Sequence, residues 1–194
     1  MTTWPLPYPL ILGSGSPRRK QLLEGLGLDF KVMVKPTEEN FPSHLKAAEI
    51  PLYLCEEKAM AFHNNELNHH VLLTADTIVW VDNQVLNKPS TDQEAIEMLQ
   101  KLSGKMHEVF TGVCLRSSSK IEKFAVLTRV YFKELTRDEI DFYVRNFKPF
   151  DKAGAYGAQE WMGYVAISRL EGSYFNVMGL PVMEVWEKLQ SFQP

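Results

Sequence analysis

The junction at residues 10–20 constrains the fold more than any other part of the sequence. The apolar run Leu10–Leu12 leads into a Gly-Ser-Gly-Ser turn at 13–16. This pattern predicts Ser16 as a helix N-cap and Pro17 as the first helical residue. A short buried strand that passes through a small-residue turn into a helix is typical of α/β proteins, so we expect a strand and a helix here.

The rest of the chain continues this mixed pattern. Further helices are predicted at three positions. Thr91 and Thr136 each begin a capping box, with Glu three residues later, and Pro181 is typical of a helix start. Apolar and β-branched runs predict strands at 30–34, 71–81, 85–86, 109–115, 121–132 and 162–170, with a turn at 82–83. The expected fold class is α/β with mixed α+β character: an elongated, bent mixed sheet flanked by helices, with a deep cleft between two lobes.

Composition narrows the functional class. The net charge of −3 over 194 residues provides no general basic field for a nucleic acid, so an anionic substrate must be met by local basic residues. Cys55 and Cys114 are far apart and show neither a disulfide nor a zinc pattern. The N-terminus has no basic segment, and the apolar stretch at 9–12 is too short for a signal peptide or membrane span. We therefore expect a cytoplasmic protein that binds neither nucleic acid nor membrane.

The turn at 13–16 is also the first candidate for chemistry. Small side chains let backbone N–H groups approach a phosphate, and a helix N-terminus favours negative charge. Arg18, Arg19 and Lys20 place positive charge in the first helical turn, which opposes the helix dipole unless an anion is present. The alternative is an ordinary N-cap followed by a solvated basic turn.

Carboxylates and lysines supply the next candidates. Asp76 interrupts an apolar strand, where a carboxylate needs a partner, a metal or a catalytic role. Glu39 follows the second predicted strand and could join Asp76 around Mg²⁺ or Mn²⁺. The alternatives are an aspartate satisfied by backbone amides and a solvated Glu38-Glu39 loop. Lys58, on a predicted helix, and Lys88, before a proline, are weak candidates taken singly.

A late segment rich in small residues, 153–159, ends in Gln159. Its glycine and alanine residues allow close approach of the backbone, and the Gln159 amide can both donate and accept hydrogen bonds to the edge of a planar base. The alternative is a loop that needs unusual backbone angles.

Together these segments resemble the Maf family of nucleotide pyrophosphatases. Six motifs occur in family order and span nearly the whole chain. They are SGSPRR at 14–19, ADT at 75–77, KP at 88–89, LSG at 102–104, DKAGAYGAQ at 151–159 and GLP at 179–181. The resemblance implies a single Maf-like domain over residues 1–194, with a fold similar to that of the inosine-triphosphate pyrophosphatases.

The resemblance also implies an activity. The family hydrolyses nucleoside triphosphates between the α- and β-phosphates with a divalent metal. Asp76 matches its proton acceptor, and Glu39, Lys58 and Lys88 match residues that line the catalytic cleft, with Glu39 and Asp76 expected at the metal. The substrate-binding positions that match the family are Ser14, Arg18, Arg19, Thr77 and Gln159. A homodimer is compatible with the family.

Three of these residues resemble the branch that prefers dTTP and UTP: Arg18, Thr77 and Gln159. The branch that prefers methylated GTP carries a bulky aromatic, a Gln and a Glu instead. One departure is Glu160, because the dTTP/UTP branch usually has glycine there, and a larger acidic residue could alter the base pocket. The other hypotheses are a non-catalytic nucleotide-binding regulator linked to cell division, and a nucleic-acid-binding module, against which the acidic net charge argues.

Overall fold

The computed structural model describes residues 3–194, and this part of the chain forms seven strands and seven α-helices. The strands are β1 (Leu10–Leu12), β2 (Phe30–Val32), β3 (Val71–Val81), β4 (Gln84–Leu86), β5 (Met106–Arg116), β6 (Ile121–Phe132) and β7 (Ile167–Glu171). The helices are α1 (Pro17–Gly25), α2 (Glu49–Met60), α3 (Asp92–Leu102), α4 (Arg137–Phe147), α5 (Trp161–Ala166), α6 (Tyr174–Met178) and α7 (Val182–Ser191). Short 3₁₀ turns lie at Asn64–Leu67 and Ala153–Ala155.

All seven strands join one mixed sheet. Its order is β2-β1-β3-β5-β6-β7, with β4 paired to β3. β1 runs parallel to both β2 and β3, whereas β3 with β4 and β6 with β7 are antiparallel pairs. The α/β class with a mixed sheet and helices is therefore confirmed.

The β3–β4 hairpin forms as the sequence predicts. Asp82 and Asn83 have φ values of 51° and 59°, the left-handed conformation that a two-residue hairpin turn requires. Asn and Asp tolerate this conformation better than most residues. The turn sets the register in which Trp80 lies opposite Val85.

Helix starts follow the capping signals, with one difference. Thr136 and Glu139 form a complete capping box at α4. At α3, Thr91 accepts from the backbone N–H of Glu94, but the Glu94 carboxylate accepts from the N–H of Ser90. The second half of that predicted box is therefore shifted by one residue.

The final predicted strand, 162–170, is wrong over its first half. Residues Trp161–Ala166 form helix α5, and only Ile167–Glu171 is a strand. Met162 and Ala166, four residues apart, are both fully buried, so helical spacing brings them to one face. Gly163 permits this turn, because a Cβ there would lie 1.9 Å from the carbonyl oxygen of Ala158.

The chain divides into two compact units. Unit 1 comprises residues 1–76, 111–126 and 179–194, and unit 2 comprises residues 77–110 and 127–178. The core of unit 1 includes Ile11, Cys55, Ala59, Phe62, Leu67, Leu72 and Cys114. The core of unit 2 is built around α3, α4 and the segment 155–166. The single Maf-like domain over residues 1–194 and the expected cleft stay predictions.

No helix within residues 3–194 is both long enough and apolar enough to cross a membrane.

Candidate active site

The turn between β1 and α1 is closely packed. Ser14 is buried, and its Oγ accepts hydrogen bonds from the Ser16 backbone N–H at 3.3 Å and from Arg19 Nη1 at 3.4 Å. Gly13 allows β1 to approach β3, because a Cβ there would lie 2.7 Å from Thr74 Cγ2. Ser16 caps the helix by accepting from the Arg19 N–H, as the sequence predicts.

Arg19 connects this turn to the motif at 179–181. Its Nε donates to the Gly179 carbonyl oxygen at 2.8 Å. Burial lowers the pKa of Arg19, and the nearby Arg18 charge lowers it further, whereas the Asp76 and Glu39 carboxylates raise it. The first turn of α1 contains no acidic residue. The helix N-terminus and both guanidinium groups therefore favour an anion at this end of α1.

Three predicted residues come together in one ion-pair cluster. Lys58 Nζ lies 2.5 Å from Asp76 Oδ1 and 3.0 Å from Glu39 Oε1. The Lys58 and Asp76 side chains are 16% and 10% exposed, whereas Glu39 is 46% exposed. Lys58, a weak candidate when taken singly, thus bonds to two carboxylates that are far from it in sequence.

Helix α2, which carries Lys58, is held against the sheet at three points. Gly112 of β5 meets the helix start so closely that a Cβ would lie 2.4 Å from the Pro51 backbone. Thr74 Oγ1 donates to the Cys55 carbonyl oxygen at 2.6 Å. These contacts set the position of α2 relative to β3, the strand that carries Asp76.

The third point is the C-terminal end of α2. Arg116 is buried, and its Nη1 donates to the carbonyl oxygens of Ala59 and Phe62 at 2.6 and 2.8 Å. Its Nη2 donates to Asn64 Oδ1 at 2.6 Å. A cation at a helix C-terminus satisfies orphan carbonyl groups and interacts favourably with the helix dipole. No local motif in the sequence reveals these tertiary contacts of Arg116 and Thr74.

The donor set of this cluster fits a hard divalent cation. Asp76 and Glu39 each place an oxygen on the same ammonium group, so the two oxygens are no more than 5.5 Å apart, the sum of the two distances. Mg²⁺ is usually held by one or two carboxylates together with waters and substrate phosphates. No group of three or more His, Cys, Asp or Glu side chains within residues 3–194 is arranged to hold a metal ion. A cation here would therefore depend on the carboxylate pair and on ligands from the substrate.

The remaining predicted residues belong to unit 2. Thr77 is half-buried in β3, directly after Asp76, and Lys88 is exposed between β4 and α3. Gln159 is half-buried just before α5. Its Oε1 is buried without a hydrogen-bond partner anywhere in residues 3–194. A buried amide oxygen without a donor is unfavourable, which makes Gln159 a candidate ligand-binding residue.

The described residues thus form an α/β fold in which a basic helix N-terminus and a carboxylate–ammonium cluster lie in one unit. A family model described as "Maf-like protein" matches residues 9–192. The chain therefore belongs to the Maf-like family.

Relatives of known name agree with this membership. A "dTTP/UTP pyrophosphatase" of Phocaeicola vulgatus is 50% identical, over 94% of this chain and 95% of the relative. One of the same name from Flavobacterium johnsoniae is 46% identical, over 94% of each chain. Among solved structures, the Staphylococcus aureus Ham1 protein superposes with a TM-score of 0.45 and 12% identity, over 64% of this chain and 71% of that one.

Proposed function

We propose that this protein hydrolyses dTTP and UTP to the nucleoside monophosphate and pyrophosphate. The observation that carries the proposal is the Lys58 ion-pair cluster, Glu39, Lys58 and Asp76, in the same unit as the basic N-terminus of α1. Membership of the Maf-like family and the names of the relatives support this reaction.

Phosphate binding is assigned to the start of α1. Arg18 and Arg19, with Ser14 and the backbone N–H groups of the turn, would neutralise part of the triphosphate charge. Burial already lowers the pKa of Arg19, and a phosphate oxygen would offset the desolvation of its guanidinium. The overall negative charge of the chain makes this local concentration of positive charge necessary.

Catalysis is assigned to Asp76 as the proton acceptor. Water attacks the α-phosphorus, and a new P–O bond forms. The bond from the α-phosphorus to the oxygen that bridges it to the β-phosphorus breaks, and pyrophosphate leaves with the electron pair. The water proton passes to the Asp76 carboxylate, one oxygen of which Lys58 holds at 2.5 Å. Lys58 and Lys88 are proposed to stabilise the charge that develops on the leaving group.

Glu39 and Asp76 are the residues proposed to hold Mg²⁺ or Mn²⁺. When bound, such an ion neutralises phosphate charge and lowers the pKa of a coordinated water. Glu39, the more exposed partner, can move towards a ligand more easily than the buried Asp76.

Base recognition is assigned to Thr77 and Gln159. Uracil and thymine present an N3–H donor beside the O4 acceptor. The buried Gln159 Oε1, without a partner in residues 3–194, can accept from N3–H, and the amide nitrogen can donate to O4. The sequence at both positions resembles the dTTP/UTP branch.

Four broader assignments are also part of the proposal. The whole chain acts as one Maf-like domain, supported by a family match that includes residues of both units. The substrate is a free nucleotide rather than nucleic acid or membrane, the location is the cytoplasm, and the protein is compatible with a homodimer. Analytical ultracentrifugation tests the last point: a single 22.3 kDa species would contradict a dimer.

The direct test measures pyrophosphate release from dTTP, UTP, CTP, methylated GTP and ITP with Mg²⁺ or Mn²⁺. Wild type is compared with Asp76→Asn, and Asp138→Asn, an exposed position in α4, is the matched control. We expect dTTP and UTP to be the best substrates and Asp76→Asn to lose at least about 100-fold in kcat. Tight nucleotide binding without turnover in the wild type would favour the regulator hypothesis instead.

A further inference from the structure

Glu160, the residue that departs from the expected glycine, lies in a buried network of unit 2. Its Oε1 is 3.0 Å from Lys152 Nζ, which is also 2.6 Å from Asp151 Oδ1. The Lys152 side chain is only 8% exposed. An ammonium group this deeply buried is retained when carboxylates compensate its charge, and removal of Glu160 leaves Asp151, whose side chain is 59% exposed, as the remaining carboxylate partner of these two.

The second oxygen of Glu160 is also occupied. The Tyr143 hydroxyl donates to Glu160 Oε2 at 2.6 Å and accepts from the Gly157 backbone N–H at 3.1 Å. Tyr143 is fully buried. Burial, and next the bond to Glu160, raise the pKa of Tyr143 well above its usual value, so the phenol remains the donor.

The backbone between these contacts has little freedom. The Glu160 N–H donates to the Gly157 carbonyl oxygen at 3.1 Å, which closes a tight turn around Gln159. A Cβ on Gly157 would lie 2.9 Å from Glu160 Cδ and 3.1 Å from Lys152 Cε. Glycine at 157 is therefore what allows the carboxylate and the lysine to pack against the turn.

This geometry determines what Glu160 can do. Both of its oxygens already bond to the protein, so the carboxylate is oriented towards Lys152 and Tyr143. Gln159 is the neighbouring residue, and its amide can in principle rotate by 180°. One orientation matches the N3–H and O4 of uracil, and the reversed orientation matches the N3 and amino group of cytosine. Discrimination between the two bases therefore needs Gln159 to be held in one position relative to the base.

We propose that Lys152, Glu160 and Tyr143 are positioning residues that, in this chain, hold the turn at 157–160 and thereby place the Gln159 side chain for uracil and thymine rather than cytosine. The proposal rests on the base-recognition role given to Gln159 under the proposed function. In this view the acidic residue at 160 acts behind the base-contacting residue, and the carboxylate itself does not touch the nucleotide.

The test compares kcat/KM for UTP and CTP in wild type, Glu160→Gln and Tyr143→Phe. Glu160→Gln removes the charge paired with Lys152, and Tyr143→Phe removes the phenol that holds both Glu160 and Gly157. We expect each variant to lower the UTP/CTP ratio about tenfold, mainly through KM for UTP, since misplacing a recognition group weakens binding. The kcat at saturating UTP should change less than threefold, as a rough bound for a change away from the reacting atoms.

Matched controls are available on β6 and β7. Tyr131 donates to Glu171 Oε2 at 3.2 Å, so Tyr131→Phe and Glu171→Gln remove a tyrosine–glutamate bond of the same kind. Both controls should keep the wild-type ratio. We measure thermal unfolding of all variants and run the assays at least about 15 °C below the lowest Tm, which removes loss of folding as an explanation.

The outcomes distinguish failure of the positioning role from failure of the base-recognition role of Gln159. If Glu160→Gln changes the ratio and Tyr143→Phe does not, Glu160 contacts the base directly and the positioning role is wrong. If wild type prefers UTP and both variants keep that preference, the positioning role alone is wrong. If wild type cleaves CTP as well as UTP, the base-recognition role of Gln159 is wrong, and the positioning proposal is wrong with it.

Discussion

His107 should make the protein sensitive to acid. Its ring is 1% exposed and contacts Phe132 and Tyr156 edge-on, with centroids 4.9 and 5.4 Å away. Nε2 is 2.8 Å from the Tyr156 hydroxyl, and Nδ1 has no hydrogen-bond partner in residues 3–194. Burial lowers the pKa of His107 to about 3. A charged imidazolium is therefore excluded from the folded state over most of the acid range.

The magnitude follows from the difference in pKa between the two states. The unfolded chain binds a proton at His107 below about pH 6.5, whereas the folded state does so only near pH 3. The neutral ring makes its full contribution to the free energy of unfolding above pH 6.5, and this contribution is lost as the pH falls from 6.5 towards 3. Each pH unit in that window lowers the free energy of unfolding by about 1.4 kcal/mol, so the loss at pH 4.5 is about 3 kcal/mol.

Urea unfolding at pH 7.5 and 4.5 measures this loss. His107→Gln keeps a partner for the Tyr156 hydroxyl but cannot titrate, so we expect a fall in unfolding free energy about 3 kcal/mol smaller than in wild type. His44→Gln replaces an exposed histidine and is the matched control, which should follow wild type. Carboxylates titrate in all three proteins and cancel in the comparison. Equal losses in wild type and His107→Gln would refute the reasoning.

Two further changes test how the site is held. Lys58→Met removes the ammonium bonded to Asp76 and should reduce kcat about 100-fold. Lys123→Met, which breaks an ion pair of the same length on β6, should leave kcat within about twofold, and equal losses in both variants would contradict a special role for Lys58. Gly112→Ala places a Cβ 2.4 Å from the α2 backbone and should lower unfolding free energy by about 3 kcal/mol, or roughly 10 °C in Tm. Gly25→Ala, with open space around it, should cost nothing measurable by calorimetry, and an unchanged Tm in Gly112→Ala would show that α2 can move.

Local sequence signals predicted most of the elements. β1 and β6 have the predicted bounds, and the turn at Asp82-Asn83 carries the residues that its backbone angles require. Helix α5 was missed, because periodicity cannot distinguish a buried helical turn from a strand over so few residues. Its helical form depends on the close approach of Gly163 to the chain, which is a tertiary contact.

The candidate site was only partly predictable for the same reason. Motifs drew attention to Glu39, Lys58 and Asp76, but nothing local indicates that Lys58 bonds to both carboxylates. Nothing local indicates the role of Arg116 either, because its bonds to the carbonyl oxygens of Ala59 and Phe62 depend on the packing of β5 against the end of α2. A sequence can therefore suggest which residues are chemically capable, whereas the fold decides which of them meet.

Product analysis tests the central claim most directly. UTP is incubated with the protein and Mg²⁺, and the nucleotide and phosphate products are separated by ion-exchange chromatography, with Asp76→Asn run in parallel. The account predicts UMP and pyrophosphate in equal amounts from the wild type, and at least about 100-fold less of both from the variant. UDP and orthophosphate as products, or undiminished UMP formation by Asp76→Asn, would contradict it.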